Sequence, residues 1–183
     1  MKRLILALLL VVFATTGLAA QTQSSSASVS VQTLTSITLS KIADLSFGSK
    51  FAGSRYGSDG QPNGAAVWSG TVAGGSAISV SFSIPASLSD GASHTVPFSC
   101  GTSSADVSGG GQTNIGFDPN AGVSRYPATG SLNGSGFTIS VGNNGGGTPG
   151  DPNNPNGCTV DLTSAPGNDS FSGTITTTVS VVP

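Results

Sequence analysis

Few residues of this chain carry side chains that could act as catalysts. His94 is the only histidine, and the acidic residues are eight aspartates without any glutamate. A Ser–His–Asp arrangement would need His94 as its base, with Asp90 in the same turn, but no G-x-S-x-G segment accompanies it. Paired aspartates could hydrolyse glycosides, yet most lie beside Gly, Pro or Asn, where aspartate caps backbone amides. The sequence therefore predicts that His94 lies in a turn and that the protein is not an enzyme.

Metal ligands are equally sparse in the sequence. The segment DPNNPNG (151–157) offers oxygen atoms, but Pro155 occupies the fifth position of a calcium loop and Gly157 comes one place late. A looser oxygen site using Asp151 and Asn153 stays open beside plain turn chemistry. His94 is far along the chain from any group of ligands, so the prediction is no metal and no cofactor.

The two cysteines, Cys100 and Cys158, predict a disulfide, because an even pair in an exported chain usually pairs. In the chain-entropy description, closing a loop of this length stabilises a fold by roughly 4 kcal/mol. Two free buried thiols are the alternative.

The N-terminus has the layout of a secretory signal peptide over residues 1–20. Lys2 and Arg3 precede an apolar run over 4–14, and cleavage is expected after Ala19 or Ala20. The run is shorter than the roughly 20 residues that a membrane span needs. We therefore expect an exported protein, located outside the cell, on its surface or in a periplasm.

Charge excludes some partners of the predicted mature chain. Four basic residues against eight aspartates give a net charge of −4. Such a chain has no basic footprint for nucleic acid or anionic lipid, and no other apolar run approaches the length of a membrane span. Neither nucleic-acid binding nor membrane insertion is predicted.

Apolar residues alternate with Ser, Thr or Gln along much of the chain, and this period of two predicts half-buried β-strands. The alternating apolar residues are Ala27, Val29, Val31, Ile37, Leu39, Leu45 and Phe47; Ile78, Val80, Phe82 and Ile84; Val96, Phe98 and Cys100; Phe137, Ile139 and Val141; Cys158, Val160 and Leu162; and Phe171, Ile175, Val179 and Val181. Weaker strands are expected over 66–72 and near Asp106 or Ile115. About eight strands with Gly-rich turns predict one antiparallel β-sandwich over 36–183, with residues 142–157 as a long loop.

A Ser-Arg-Tyr sequence occurs twice and includes both tyrosines of the chain. One copy holds Arg55 and Tyr56, and the other holds Arg125 and Tyr126. Arginine and tyrosine are effective contact residues when they are exposed in loops. The pairs are interpreted either as hairpin corners with similar turn requirements or as contacts for a glycan or a protein.

The segment ITLSKIADLSFGS (37–49) resembles the first strand of a family of secreted bacterial domains of unknown function. The matching residues are Ile37, Leu39, Lys41, Asp44, Leu45, Phe47 and Gly48. Residues 74–88 and 173–182 are similar to the central and closing strands of that family, which is related to chaperone–usher pilins and spore coat protein U. The resemblance implies an immunoglobulin-like, pilin-like sandwich with a structural or adhesive role. Lys41 and Asp44 are interpreted as a local ion pair at a strand end.

Two functions follow from these observations. The first is an exported structural or adhesive surface protein, a subunit of a pilus-like or coat-like assembly that self-associates or binds other surface subunits. The second is a monomeric extracellular module that binds carbohydrate or a host protein. In the first, residues 21–35 form an extension whose Ala27, Val29 and Val31 could complete a neighbour's sheet. Pairing of the same residues within their own chain is the alternative.

Overall fold

The computed structural model describes residues 36–58, 64–73, 76–109, 112–127, 132–142 and 151–182. The predicted signal peptide, the extension over 21–35 and part of the loop over 142–157 lie outside these residues. Within the described ranges there is no helix long and apolar enough to cross a membrane.

Twelve strands form in the described ranges. They are β1 (Ile37–Ala43), β2 (Arg55–Gly57), β3 (Ala66–Val72), β4 (Ala77–Ser83), β5 (Ser87–Ser89), β6 (Thr95–Cys100), β7 (Ala105–Gly109), β8 (Gln112–Phe117), β9 (Ser124–Tyr126), β10 (Gly136–Val141), β11 (Cys158–Asp161) and β12 (Thr176–Val182).

The strands pair into three antiparallel sheets. The five-stranded sheet has the order β1-β3-β10-β7-β8, the four-stranded sheet β2-β11-β6-β5, and the three-stranded sheet β12-β4-β9. The chain passes from the three-stranded to the four-stranded sheet between β4 and β5, where Pro85 lacks the N–H that would continue the ladder. β1 and β12 are edge strands, and each therefore has one backbone edge without a strand partner in the described part of the chain.

Alternation of side chains produces the core. Along β6, Val96, Phe98 and Cys100 are buried while the residues between them are exposed. β10 repeats this pattern, and buried residues from all three sheets join one apolar cluster. Phe82 connects the layers, because its ring centroid lies 6.2 Å from that of Trp68 and 5.6 Å from that of Phe117. The predicted antiparallel β-sandwich is confirmed.

The first strand is shorter than its sequence pattern predicts. The register between β1 and β3 shifts between Lys41 and Ala43, and β1 ends at Ala43. A bulge of this kind places one extra residue in the strand, and Ile42 is 65% exposed. Leu45 and Phe47 keep their inward direction as half-buried residues, but they lie in the following segment and not in a strand.

The disulfide joins the two cysteines that the sequence pairs. Cys100 and Cys158 lie directly opposite each other on β6 and β11, with their Cα atoms 3.9 Å apart. Both residues belong to the apolar cluster. The predicted Cys100–Cys158 bridge is confirmed, and no free cysteine remains.

Candidate functional site

An open cleft lies beside the end of β1. Its walls are the segment 44–51, which follows β1, and the segment 168–175, which precedes β12, and its volume is about 1030 Å³. Ligand sites usually enclose about 300–1,000 Å³ and have mostly apolar walls. The cleft is therefore large enough for a ligand or for a segment of polypeptide.

The floor of the cleft is aromatic and aliphatic. Its apolar residues come from β3, β5, β6, the segment after β11 and the two walls, and include Leu45, Phe47, Trp68, Leu88, Phe98, Leu162, Phe171 and Ile175. The rings of Phe47 and Phe98 meet edge to face, with centroids 6.2 Å apart. Phe51 stands at the rim with 88% of its surface exposed. An apolar floor with an exposed ring at its entrance favours contact with another molecule.

Backbone and tyrosine contacts fix the first wall. Gly48 has a φ of 66°, a left-handed conformation that glycine adopts without cost. The Tyr56 hydroxyl donates a hydrogen bond of 3.0 Å to the carbonyl oxygen of Phe51. The Lys50 ammonium lies 5.4 Å from the centroid of the Tyr56 ring, within the range of a cation–π contact. Tyr56 therefore positions the rim of the cleft.

The second wall is tied to the hairpin of β5 and β6. Ser89 and Ser172 form an isolated antiparallel bridge, with N–H···O distances of 2.9 and 2.8 Å in the two directions. Gly173 packs closely behind this bridge, since a Cβ atom there would lie 2.7 Å from Leu88 Cδ2. A larger residue at position 173 would push the wall away from the hairpin.

The ion pair at the end of β1 borders the cleft. Lys41 Nζ lies 2.7 Å from Asp44 Oδ1, and the two side chains are 57% and 76% exposed. An exposed pair of this kind contributes about 0–1 kcal/mol to stability. The interpretation of Lys41 and Asp44 as a local ion pair at a strand end is confirmed.

The two Ser-Arg-Tyr sequences occupy different environments. Arg55 and Tyr56 lie on β2, where Arg55 Nε is 3.5 Å from Asp161 Oδ2. Arg125 and Tyr126 lie on β9 in a different sheet, and Tyr126 is only 2% exposed. Of the two interpretations, the one that makes Tyr126 an exposed contact residue is wrong, because its side chain is buried in the core. Tyr56 alone among the two tyrosines stands next to the cleft.

His94 has two acidic neighbours, and the sequence indicates only Asp90. Its Nδ1 atom lies 2.7 Å from Asp90 Oδ2 and 3.4 Å from Asp169 Oδ2. The backbone N–H of Ala92 donates to Asp90, and this contact, followed by the contacts with His94, lowers the pKa of that carboxyl despite its desolvation. No hydroxyl is among the hydrogen-bond partners of His94 in the described residues. The predicted turn position of His94 is confirmed, and its contact with Asp169 is new.

The described end of the long loop forms turns. Asp151 Oδ1 accepts a hydrogen bond of 2.8 Å from the backbone N–H of Asn153, as in an Asx turn. Gly101 packs against Pro155 so closely that a Cβ atom there would overlap its backbone. The Ser103 N–H also donates to the Pro155 carbonyl oxygen over 2.9 Å. Turn chemistry accounts for Asp151, and the calcium hypothesis for this loop stays untested.

The residues of the hypothetical donor strand, Ala27, Val29 and Val31, lie outside the described residues.

No family model, curated protein or solved structure matches the chain. The resemblance to secreted pilin-related domains therefore remains a prediction from sequence, and the fold and its cleft carry the functional argument.

Proposed function

We propose that this protein is an exported structural or adhesive subunit of a surface assembly, and that its subunits associate by strand addition at β1 and β12. The observation that carries the proposal is the incomplete burial of both edge strands. Ile37 and Leu39 on β1, and Val179 and Val181 on β12, face inward but are only half-buried. Unpaired strand edges with apolar residues beside them are templates for another strand.

The position of the two edges favours one shared acceptor surface. β1 and β12 belong to different sheets and approach each other at the same side of the sandwich. Each is seven residues long, which corresponds to roughly 23 Å of extended chain. A single added strand of similar length would cover the half-buried rows of either edge.

The N-terminal extension supplies a segment with the required pattern. Residues 27–33 number seven and alternate Ala27, Val29 and Val31 with serine or glutamine. Alternate side chains of an added strand point to one face, so these three would fill the same apolar surface. The segment either enters a second copy or pairs within its own chain, and these alternatives predict different behaviour.

Deletion of residues 21–33 distinguishes the two alternatives. The complete chain from residue 21 should form oligomers in size-exclusion chromatography with light scattering, and the truncated chain should be monomeric. A peptide of residues 22–33 should then bind the truncated chain and raise its melting temperature. A matched peptide with serine in place of Ala27, Val29 and Val31 should not.

Two results would contradict strand donation between copies. One is a truncated protein that assembles as the complete chain does. The other is a truncated protein that unfolds and is not recovered by the peptide, which would assign residues 27–33 to their own sandwich.

A second function is favoured by the cleft itself, namely a monomeric module that binds carbohydrate or protein. The supporting observation is the exposed ring of Phe51 above an aromatic floor, with the backbone carbonyl of Phe51 hydrogen-bonded to Tyr56. Under this function the chain from residue 21 is a sharp monomer that binds members of a glycan or peptide array. Tyr56→Ala should abolish that binding by releasing the rim, while Arg125→Ala, on the distant β9, should leave it unchanged. Equal binding by wild type and Tyr56→Ala would remove Tyr56 from the site.

A further inference from the structure

A mixed cluster of metal-binding side chains lies where the β5–β6 hairpin meets the segment before β12. Asp90 and His94 belong to the turn of the hairpin, and Asp169 comes from the cleft wall. One ligand atom from each residue lies within 4.8 Å of the other two. We propose that these three residues bind a divalent transition-metal ion, with zinc as the expected metal.

The arrangement around His94 Nδ1 is the reason for expecting a metal there. Two carboxylate oxygens, from Asp90 and Asp169, converge on this nitrogen at 2.7 and 3.4 Å. An imidazole nitrogen carries at most one hydrogen and can satisfy only one of them well. A cation in place of that hydrogen contacts all three atoms and balances two negative charges.

The chemistry of the donors selects the class of metal. Zinc binds imidazole nitrogen and carboxylate oxygen, often with three protein ligands and one water molecule. Calcium and magnesium prefer oxygen ligands alone and in larger number. One nitrogen and two carboxylates therefore fit zinc better than calcium or magnesium.

The local structure positions the ligands before any metal binds. Asp90 Oδ1 accepts hydrogen bonds from the N–H groups of Ala92 and His94 at 2.8 and 3.2 Å, which leaves Oδ2 directed at the cluster. The double hydrogen bond between Ser89 and Ser172 holds the wall that carries Asp169 against the hairpin. A bound ion would therefore connect the hairpin and the wall at a second point, in addition to the Ser89–Ser172 hydrogen bonds, and it would stabilise one side of the cleft.

Calorimetry and thermal unfolding with zinc chloride test the site. The oxidised chain from residue 21, first treated with chelator and exchanged into metal-free buffer, should bind one zinc ion and melt at a higher temperature when zinc is added. Histidine ring signals in NMR spectra should shift during the titration, and calcium at the same concentration should cause neither effect. Acidification should weaken binding, because a proton and zinc compete for the same nitrogen.

Two single variants and one control make the test specific. His94→Ala and Asp169→Asn should each bind zinc at least about tenfold more weakly. Mutation of residues that only hydrogen-bond to metal ligands already lowers metal affinity about ten- to hundredfold, and the ligands themselves should matter at least as much. Asp118→Asn removes a carboxylate that caps its own turn elsewhere and should bind as wild type does. Circular dichroism of the metal-free variants establishes that they are folded.

Three outcomes would overturn the proposal. They are no zinc binding by the wild-type chain, equal binding by wild type and both variants, and a response to calcium as large as the response to zinc.

Discussion

Asp106 on β7 is a carboxylate whose surroundings disfavour its charge. Burial raises its pKa above the ordinary value of 3.8, although a hydrogen bond from the backbone of Val107 acts in the opposite direction. Its Oδ1 atom has no hydrogen-bond partner in the described part of the chain. The folded protein therefore holds a proton at Asp106 more tightly than the unfolded chain does. The favourable contribution of Asp106 is complete below pH 3.8 and is lost as the pH rises through the folded-state pKa.

We accordingly expect Asp106→Asn to stabilise the protein at pH 7 and to have little effect at pH 3. The gain should stay below about 1 kcal/mol, because a partly exposed charge is screened by solvent. Urea unfolding at the two pH values measures the difference. A variant that is less stable than wild type at pH 7 would contradict this account.

Asp161 provides a control with the opposite sign. Hydrogen bonds from the hydroxyl and the N–H of Thr163 lower its pKa, and Arg55 contributes less. The stabilising contribution of Asp161 is therefore present above its unfolded-state pKa and is lost as the pH falls through the folded-state value. Asp161→Asn should destabilise the protein at pH 7 and lose this effect in acid.

At the scale of elements, the disulfide is the strongest single connection between strands. It joins β6 to β11 and closes a sequence separation of 58 residues. Replacing Cys100 and Cys158 together by alanine should lower the free energy of unfolding by about 4 kcal/mol in the chain-entropy description. The reduced wild-type protein is the matched control, since it loses the bridge and keeps both sulfur atoms. A loss below about 1 kcal/mol in both proteins would show that the bridge contributes little.

The period-two pattern predicts the longer strands and misses the shortest ones. β3 matches the weaker strand predicted over 66–72, and β4 ends before Pro85 as expected. β2, β5 and β9 are missed because three residues are too few to display a period of two. These short strands form because the neighbouring β11, β6 and β4 provide a ladder.

For the whole molecule, the proposed association would depend on strand edges and not on charge. Outward-facing hydroxyls pair between neighbouring strands of one sheet, as Thr38 with Thr71 and Ser79 with Ser180 at 2.7 and 2.6 Å. Such surfaces are polar without being charged, and the inward-facing apolar residues of β1 and β12 lie at sheet edges beside them.

If subunits associate by strand addition, the donor extension and the acceptor edge are different surfaces. Contacts between two different surfaces produce open filaments of subunits unless the geometry closes a ring. Val179→Lys should prevent association, because it places a charge in the half-buried row of β12. Thr178→Lys on the exposed face of the same strand should leave association unchanged. Light scattering over a range of protein concentrations measures both, and equal effects of the two variants would contradict docking at the inward face.

The sequence by itself determined the fold class, the disulfide and most of the core. The period of two assigns alternate side chains to opposite faces, so Phe98, Ile139 and Val80 are recognisable as core residues before any pairing is known. The Lys41–Asp44 pair was also predictable, because the two residues lie three positions apart and need no distant partner.

Only the tertiary structure decided which distant residues meet. Asp169 reaches His94 because the wall before β12 bridges to β5, and nothing in the local pattern of either segment encodes that pairing. Tyr56 and Tyr126 have the same preceding residues, yet one positions the cleft rim and the other fills the core. The burial of each tyrosine depends on the sheet that its strand joins. The packing of the whole chain determines which sheet that is.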